Sequence, residues 1–198
     1  MAIKVDKVQK RKDIAISCKE LILLHGIKDI TISQIAKIAG VGKGTIYEYF
    51  KNKEDIVFEI VNIMILDRNI RVEEELSKLT CTKDKIKLFS SFFYVNKDAE
   101  LRKLYKEFVS ITLSSPDEEM IEFQTQCFDI HYVRFEQIIQ DAIDNGELIE
   151  QSIQLVRGLF VSAEGMFIAS EATNSIKNIE SELNQFLDTL FDLIEVKK

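Results

Sequence analysis

Three glycines, Gly40, Gly42 and Gly44, stand at alternate positions around Lys43 in the stretch IAGVGKGTIYEYF, residues 38–50. Glycine-rich turns beside a lysine are a frequent phosphate cradle, so the first chemistry to weigh is nucleotide binding. A P-loop requires G-x-x-x-x-G-K-[ST], because the hydroxyl after the lysine must reach magnesium. Here Gly44 follows Lys43, and Lys37 occupies the place of the first glycine. The dinucleotide fingerprint G-x-G-x-x-G is also broken, since the run is G-x-G-x-G into Thr45. That fingerprint must follow a strand. The residues before Gly40 instead place Ile32, Ile35, Ala36 and Ala39 at helical spacing. No nucleotide site is expected.

Catalytic and metal chemistry is poorly served. Cys18, Cys81 and Cys127 are scattered without C-x-x-C spacing, which argues against a disulfide framework and for a reducing compartment. His25 and His131 are the only histidines, too few for a multi-histidine zinc site. Cys127 and His131 lie one helical turn apart with no third orienting group, and free cysteine is readily buried. The expectation is a protein that is not an enzyme and carries no cofactor or metal.

The chain's 198 residues include one proline, Pro116, seven glycines and no tryptophan. Scarce helix breakers fit a largely helical chain. No segment reads as long enough to cross a bilayer and nothing resembles a signal peptide, so the expectation is a cytoplasmic protein without a membrane partner. Charge is divided unevenly. Residues 1–53 hold eleven Lys and Arg against five Asp and Glu, a net +6, and residues 54–198 carry −13. The overall pI near 5.1 averages a basic head with an acidic body. Such asymmetry points to a head that meets a polyanion, with a solvated lysine-rich terminus as the plain alternative.

The elements that must position these residues read as helices throughout. The first is expected from about Val5 to Leu24, closed by Gly26. The second begins at Thr31, where Thr-Ile-Ser-Gln matches a capping box, and ends at Gly40. A short third helix spans about Lys43–Tyr49 with Gly42 as N-cap, and a fourth runs from Lys53 to about Leu79. Five more are expected near 83–96, 99–113, 117–144, 150–172 and 176–195. The helix at 150–172 is apolar almost all round and must be covered on both sides. The fold class is therefore all-α, with a domain at 1–53 and a second at 54–198.

Two short helices joined by a tight glycine turn make a helix-turn-helix, whose second helix enters the DNA major groove. Ala36 is small where the helices cross, Gly40 suits a left-handed turn, and Ile46 and Phe50 face inward. Lys43, Gly44 and Thr45 are placed for base edges. Thr31, Tyr47, Tyr49 and Lys53 are placed for phosphates, and Ser33 and Gly42 complete the DNA-facing set. The phosphate in question is that of double-stranded DNA.

At this point the sequence resembles the TetR-type transcriptional regulators. The matching residues are Gly26, Thr31, Ile35-Ala36, Ala39-Gly40-Val41, Gly44-Thr45-Ile46-Tyr47, Tyr49-Phe50 and Lys53-Glu54. Gly42 departs from the serine usual in that family, which removes one hydroxyl contact. The resemblance implies a three-helix head joined by a long helix to a helical body, and a homodimer whose last two helices form a four-helix bundle across a two-fold. Leu159, Ala163, Phe167, Leu183, Phe186, Leu187 and Leu190 are the expected interface. It also implies a repressor released from a palindromic operator by a small-molecule effector.

The body is rich in aromatic residues, which suits an apolar or aromatic effector but is more often the composition of a plain core. Phe93, Tyr105, Phe108, Phe123, Cys127, His131 and Glu164 are the expected ligand contacts. The alternative function is a structural DNA-binding protein of the same fold, acting on the nucleoid or cell division without an inducer.

Overall fold

The structure is a computed structural model that describes residues 6–197. Among them are nine α-helices: α1 Lys7–His25, α2 Ile32–Ile38, α3 Lys43–Tyr49, α4 Lys53–Leu76, α5 Thr82–Ser90, α6 Ala99–Ser114, α7 Glu118–Asp144, α8 Val156–Ala172 and α9 Ile179–Ile194. The expected start of the first helix, Val5, lies outside the described residues. The described residues form two compact units, one built from 6–69 with Glu100–Phe123, the other from Ile70–Ala99 with 124–197.

In the first unit, Asp6 caps α1 by accepting the Val8 and Gln9 N–H groups. The buried face of α1 is Ile14, Ala15, Cys18, Ile22 and Leu23, and Ile35 and Ala36 of α2 and Ile46 of α3 are buried as well. Each isoleucine or leucine among them contributes about 1.5–3 kcal/mol when fully buried. Cys18 is part of this core, its thiol pushed up by burial, and its sulfur reaches the Ile35 carbonyl at 3.8 Å. Phe58, Phe108 and Phe123 stack on one another, with ring centroids 4.4–5.8 Å apart.

In the second unit one cluster gathers Val72, Leu76, Ile86, Phe135, Ile138, Ile139, Leu148, Val156, Leu159, Leu187, Phe191 and Ile194. The turn after α7 closes by the Schellman pattern: Gly146 at φ 71° donates to Ile143 and Glu147 donates to Ala142 at 2.8 Å. Main-chain bonds from Ile149 to Ile194 and from Val196 to Glu147 then tie the chain's end to that turn.

Several boundaries differ from the sequence expectation. The helix expected over 83–96 ends at Ser90 and continues as a 3-10 turn at Ser91–Phe93. There the hydroxyls of Ser90 and Ser91 bond back to the Ile86 and Leu88 carbonyls and compete with the helix ladder. The helix expected over 150–172 begins as a 3-10 turn, Glu150–Leu155, and becomes α-helical only at Val156. α9 starts at Ile179 rather than Ile176, because the Asn178 side chain accepts the Ser181 N–H at 3.0 Å and sets the cap.

Contrary to the sequence expectation, Glu150–Ala172 reaches the length and apolarity of a membrane-crossing helix. Its two faces account for that composition. Val156, Leu159, Ala163 and Phe167 are buried inside the chain, whereas Gly158, Val161, Gly165 and Ile168 are exposed. The cover required on both sides is thus supplied by this chain on one side only.

Candidate nucleic-acid interface

The capping box expected at Thr31 forms. Its Oγ1 accepts the Gln34 N–H at 3.3 Å and donates to Gln34 Oε1 at 2.8 Å, and Gln34 Oε1 in turn accepts the Thr31 N–H. α2 then closes by a Schellman motif: Gly40 donates to Lys37, and Val41 donates to Ala36 at 3.0 Å. Gly40 has φ 65°, a conformation glycine adopts without steric cost. Gly42 in extended conformation starts α3, its carbonyl accepting the Ile46 N–H at 3.2 Å. Phe50 ends it and is buried.

This geometry divides the α3 side chains. Ile46 is fully buried and pins the helix, while Lys43, Gly44 and Tyr47 are exposed, Tyr47 to 60%. Thr45 and Tyr49 are half-buried beside them, and Ser33 and Gly42 are exposed across the turn. An outward cation, hydroxyl-bearing rings and open backbone on one short helix are what a major-groove reader needs.

Two expected phosphate contacts have intramolecular work. The Thr31 hydroxyl proton is taken by Gln34. Lys53 Nζ donates to the Lys28 carbonyl at 2.7 Å and lies 3.4 Å from that of Ile30, so it holds the loop before α2.

Sequence reasoning missed Arg11. Its guanidinium donates to Asp55 at 2.6 Å, to Glu59 at 2.8 Å and to the Tyr49 carbonyl, and lies 4.3 Å over the Phe50 ring. Burial alone would raise the Asp55 pKa, but the Arg11 hydrogen bond, the Lys51 N–H and the nearby positive charges outweigh it and hold the carboxyl below its ordinary value. The readable signal was the Asp55, Glu59 pair one helical turn apart at the start of α4.

The expected ligand contacts fall into different units. Tyr105, Phe108 and Phe123 belong to the first, where Phe108 and Phe123 are buried in the phenylalanine stack. Phe93, Cys127, His131 and Glu164 belong to the second. Phe93 packs on Phe167 with centroids 5.2 Å apart, and Glu164 is half-buried on α8. His131 Nδ1 donates to the Cys127 carbonyl at 2.7 Å, not to its thiol. Burial pushes that thiol up to about 11, so it stays protonated and unreactive at neutral pH. Arg157 lies 4.4 Å over the Tyr132 ring. Among the described residues no group of three His, Cys, Asp or Glu is placed to hold a metal.

The expected interface residues Leu159, Ala163, Phe167, Leu183 and Leu187 are buried within a single chain, where they form intramolecular core. The innermost row of the α9 stripe serves the chain's own core. Phe186 stays exposed and Leu190 half-buried.

Fold and site together define a helix-turn-helix protein with a further all-helical unit. Residues 18–60 match the family model described as "Bacterial regulatory proteins, tetR family". The chain is similar to a fatty acid metabolism regulator protein of Bacillus subtilis (strain 168), 38% identical over 85 residues, which is 43% of this chain and 44% of that protein. The match thus spans less than half of that relative's length. The HTH-type transcriptional regulator QacR of Staphylococcus aureus (strain Mu50 / ATCC 700699) is 25% identical over 171 residues, 84% of this chain and 83% of that one. The solved SmeT–triclosan complex shares the fold with a TM-score of 0.69 at 20% identity, over 96% of this chain and 93% of that one.

Proposed function

We propose that the chain is a sequence-specific, DNA-binding transcriptional repressor that acts as a homodimer on a palindromic operator and is released by a small apolar or aromatic effector. The observation that carries the DNA reading is the outward face of α3, where Lys43, Gly44 and Tyr47 stand exposed on a helix pinned from behind by Ile46. Residues 1–53 form the DNA-binding domain and residues 54–198 the effector-binding and dimerising domain. The +6 charge of the head favours the phosphate backbone. Support for an effector is the aromatic content of the second domain, together with a similar fold solved with triclosan.

Dimerisation is supported by the uncovered faces of α8 and α9. Val161 and Ile168 on α8, with Phe186 and Leu193 on α9, expose apolar side chains that a second copy would cover, Leu193 being 73% exposed. Gly158 and Gly165, on that same side of α8, have open space where a side chain would be, which permits close helix approach.

Selection of duplexes from a random pool tests the reading. The expected outcome is enrichment of an inverted repeat whose half-sites lie about one helical turn apart, roughly 34–36 Å. Wild-type protein that enriches no sequence at low salt would remove the repressor reading.

A further inference from the structure

Arg11 has no place in the DNA-facing set, yet it touches the end of the helix that carries it. One guanidinium serves three acceptors on two elements: the Tyr49 carbonyl in the last turn of α3, and the Asp55 and Glu59 carboxylates on α4. Its flat face covers the Phe50 ring, the residue that terminates α3. The acceptors are themselves fixed. Asp55 also accepts the Lys51 N–H at 3.1 Å, and the Asn52 side chain accepts the Asp55 N–H at 2.8 Å. The side chains of Arg11, Asp55 and Glu59 are 28%, 22% and 17% exposed. The cluster is therefore half-buried, and its bonds commit Arg11 to the protein's own acceptors.

At seven residues, α3 is too short to hold its own orientation, and Ile46 supplies its single fully buried anchor. A helix held at one point can pivot. Resting on the DNA reading above, we infer that Arg11 is a positioning residue that sets the angle at which α3 is presented, so that operator selectivity depends on a side chain that does not touch DNA. A lysine cannot replace it, because one ammonium cannot serve three acceptors and stack on a ring at once.

The test compares wild type with Arg11→Met and Arg11→Lys, and with the milder Glu59→Gln in case the first two fold poorly. Binding is measured against the selected duplex and against a scrambled duplex across a salt series. A lost phosphate contact flattens the slope of log affinity against log salt by about 0.9 and weakens both duplexes alike. Positioning predicts a different pattern. Arg11→Met and Arg11→Lys lose at least tenfold on the selected duplex, Glu59→Gln loses less, and scrambled-duplex affinity and salt slope stay as in wild type. Unchanged affinity for the selected duplex, or a flattened slope, overturns the inference.

Amide hydrogen exchange without DNA separates this from failure of the DNA reading itself. Should wild type select no duplex, positioning still predicts faster exchange at Ile46 and Phe50 in Arg11→Met with Ala39 at the end of α2 unchanged. Equal exchange in variant and wild type overturns it.

Discussion

Glu107 on α6 accepts the backbone N–H of Ile27 at 3.0 Å, just past the end of α1. Lys103, one turn earlier on α6, donates to the Leu23 carbonyl. Lys103 therefore satisfies a carbonyl that the helix terminus leaves open, and Glu107 an N–H just beyond it. Gly26 makes the approach possible: it sits at φ 80°, ψ 167°, and a Cβ there would stand 2.7 Å from Glu107 Oε1.

Gly26→Ala is therefore expected to destabilise the protein. The backbone region is nearly exclusive to glycine, and an alanine there costs about 1–3 kcal/mol before any displacement of Glu107 is counted. Urea denaturation is the measurement. A midpoint equal to wild type would show that the carboxylate and the α1 terminus relax freely.

Asp55 gives a pH dependence of defined sign. Its folded pKa is held below the unfolded value of about 3.9, so the unfolded chain binds the proton more readily. The stabilisation from the Arg11 pair is present above the unfolded value and is lost as pH falls through the folded one. The stability gap between wild type and Asp55→Asn should be constant from pH 7 to 5 and should shrink below about pH 4. Denaturation series at several pH values check this. A gap that grows on acidification would contradict the pairing.

Ser152 is buried at 2% exposure in the turn before α8, and its hydroxyl has no hydrogen-bond partner. An unmade hydrogen bond at a buried group costs about 1–3 kcal/mol. Ser152→Ala removes the group with little change of volume, so the variant should be at least as stable as wild type in thermal unfolding. A clear loss would mean that the hydroxyl is satisfied in solution by a bound water.

The two rows of α9 should respond differently to substitution. Leu193→Glu alters an exposed residue and is expected to shift sedimentation from dimer to monomer with far-UV circular dichroism unchanged. Leu187→Ala empties a site that is 1% exposed and should cost about 2–5 kcal/mol of stability instead. A Leu193→Glu protein that remains dimeric at micromolar concentration would place the interface on another face.

Much of the head was legible because its determinants are local. The Thr31–Gln34 capping box, the left-handed Gly40, the Gly42 start of α3 and the inward Ile46 are each set by residues within a turn or two of one another. Capping chemistry and helical period read directly from such short spacings. The second unit was legible as helices, but 3-10 segments at Ser91–Phe93 and Glu150–Leu155 broke two of them. Serine hydroxyls that bond back to the backbone, or a turn stitched to a distant strand of chain, do not disturb an apolar period.

By itself, the sequence determined the helical class, the helix-turn-helix and the outward identity of Lys43, Gly44 and Tyr47. Tertiary structure alone decided which partners the charged side chains take. Lys53 bonds to carbonyls 23 and 25 residues away, Arg11 to carboxylates 44 and 48 residues away, and Glu107 to an N–H 80 residues away. It also decided which row of the α9 stripe is core and which is free, for Leu187 and Leu193 are alike as residues and differ only in what lies opposite. Periodicity fixes the side of a helix on which a residue falls; the other helices of the fold determine which sides are covered.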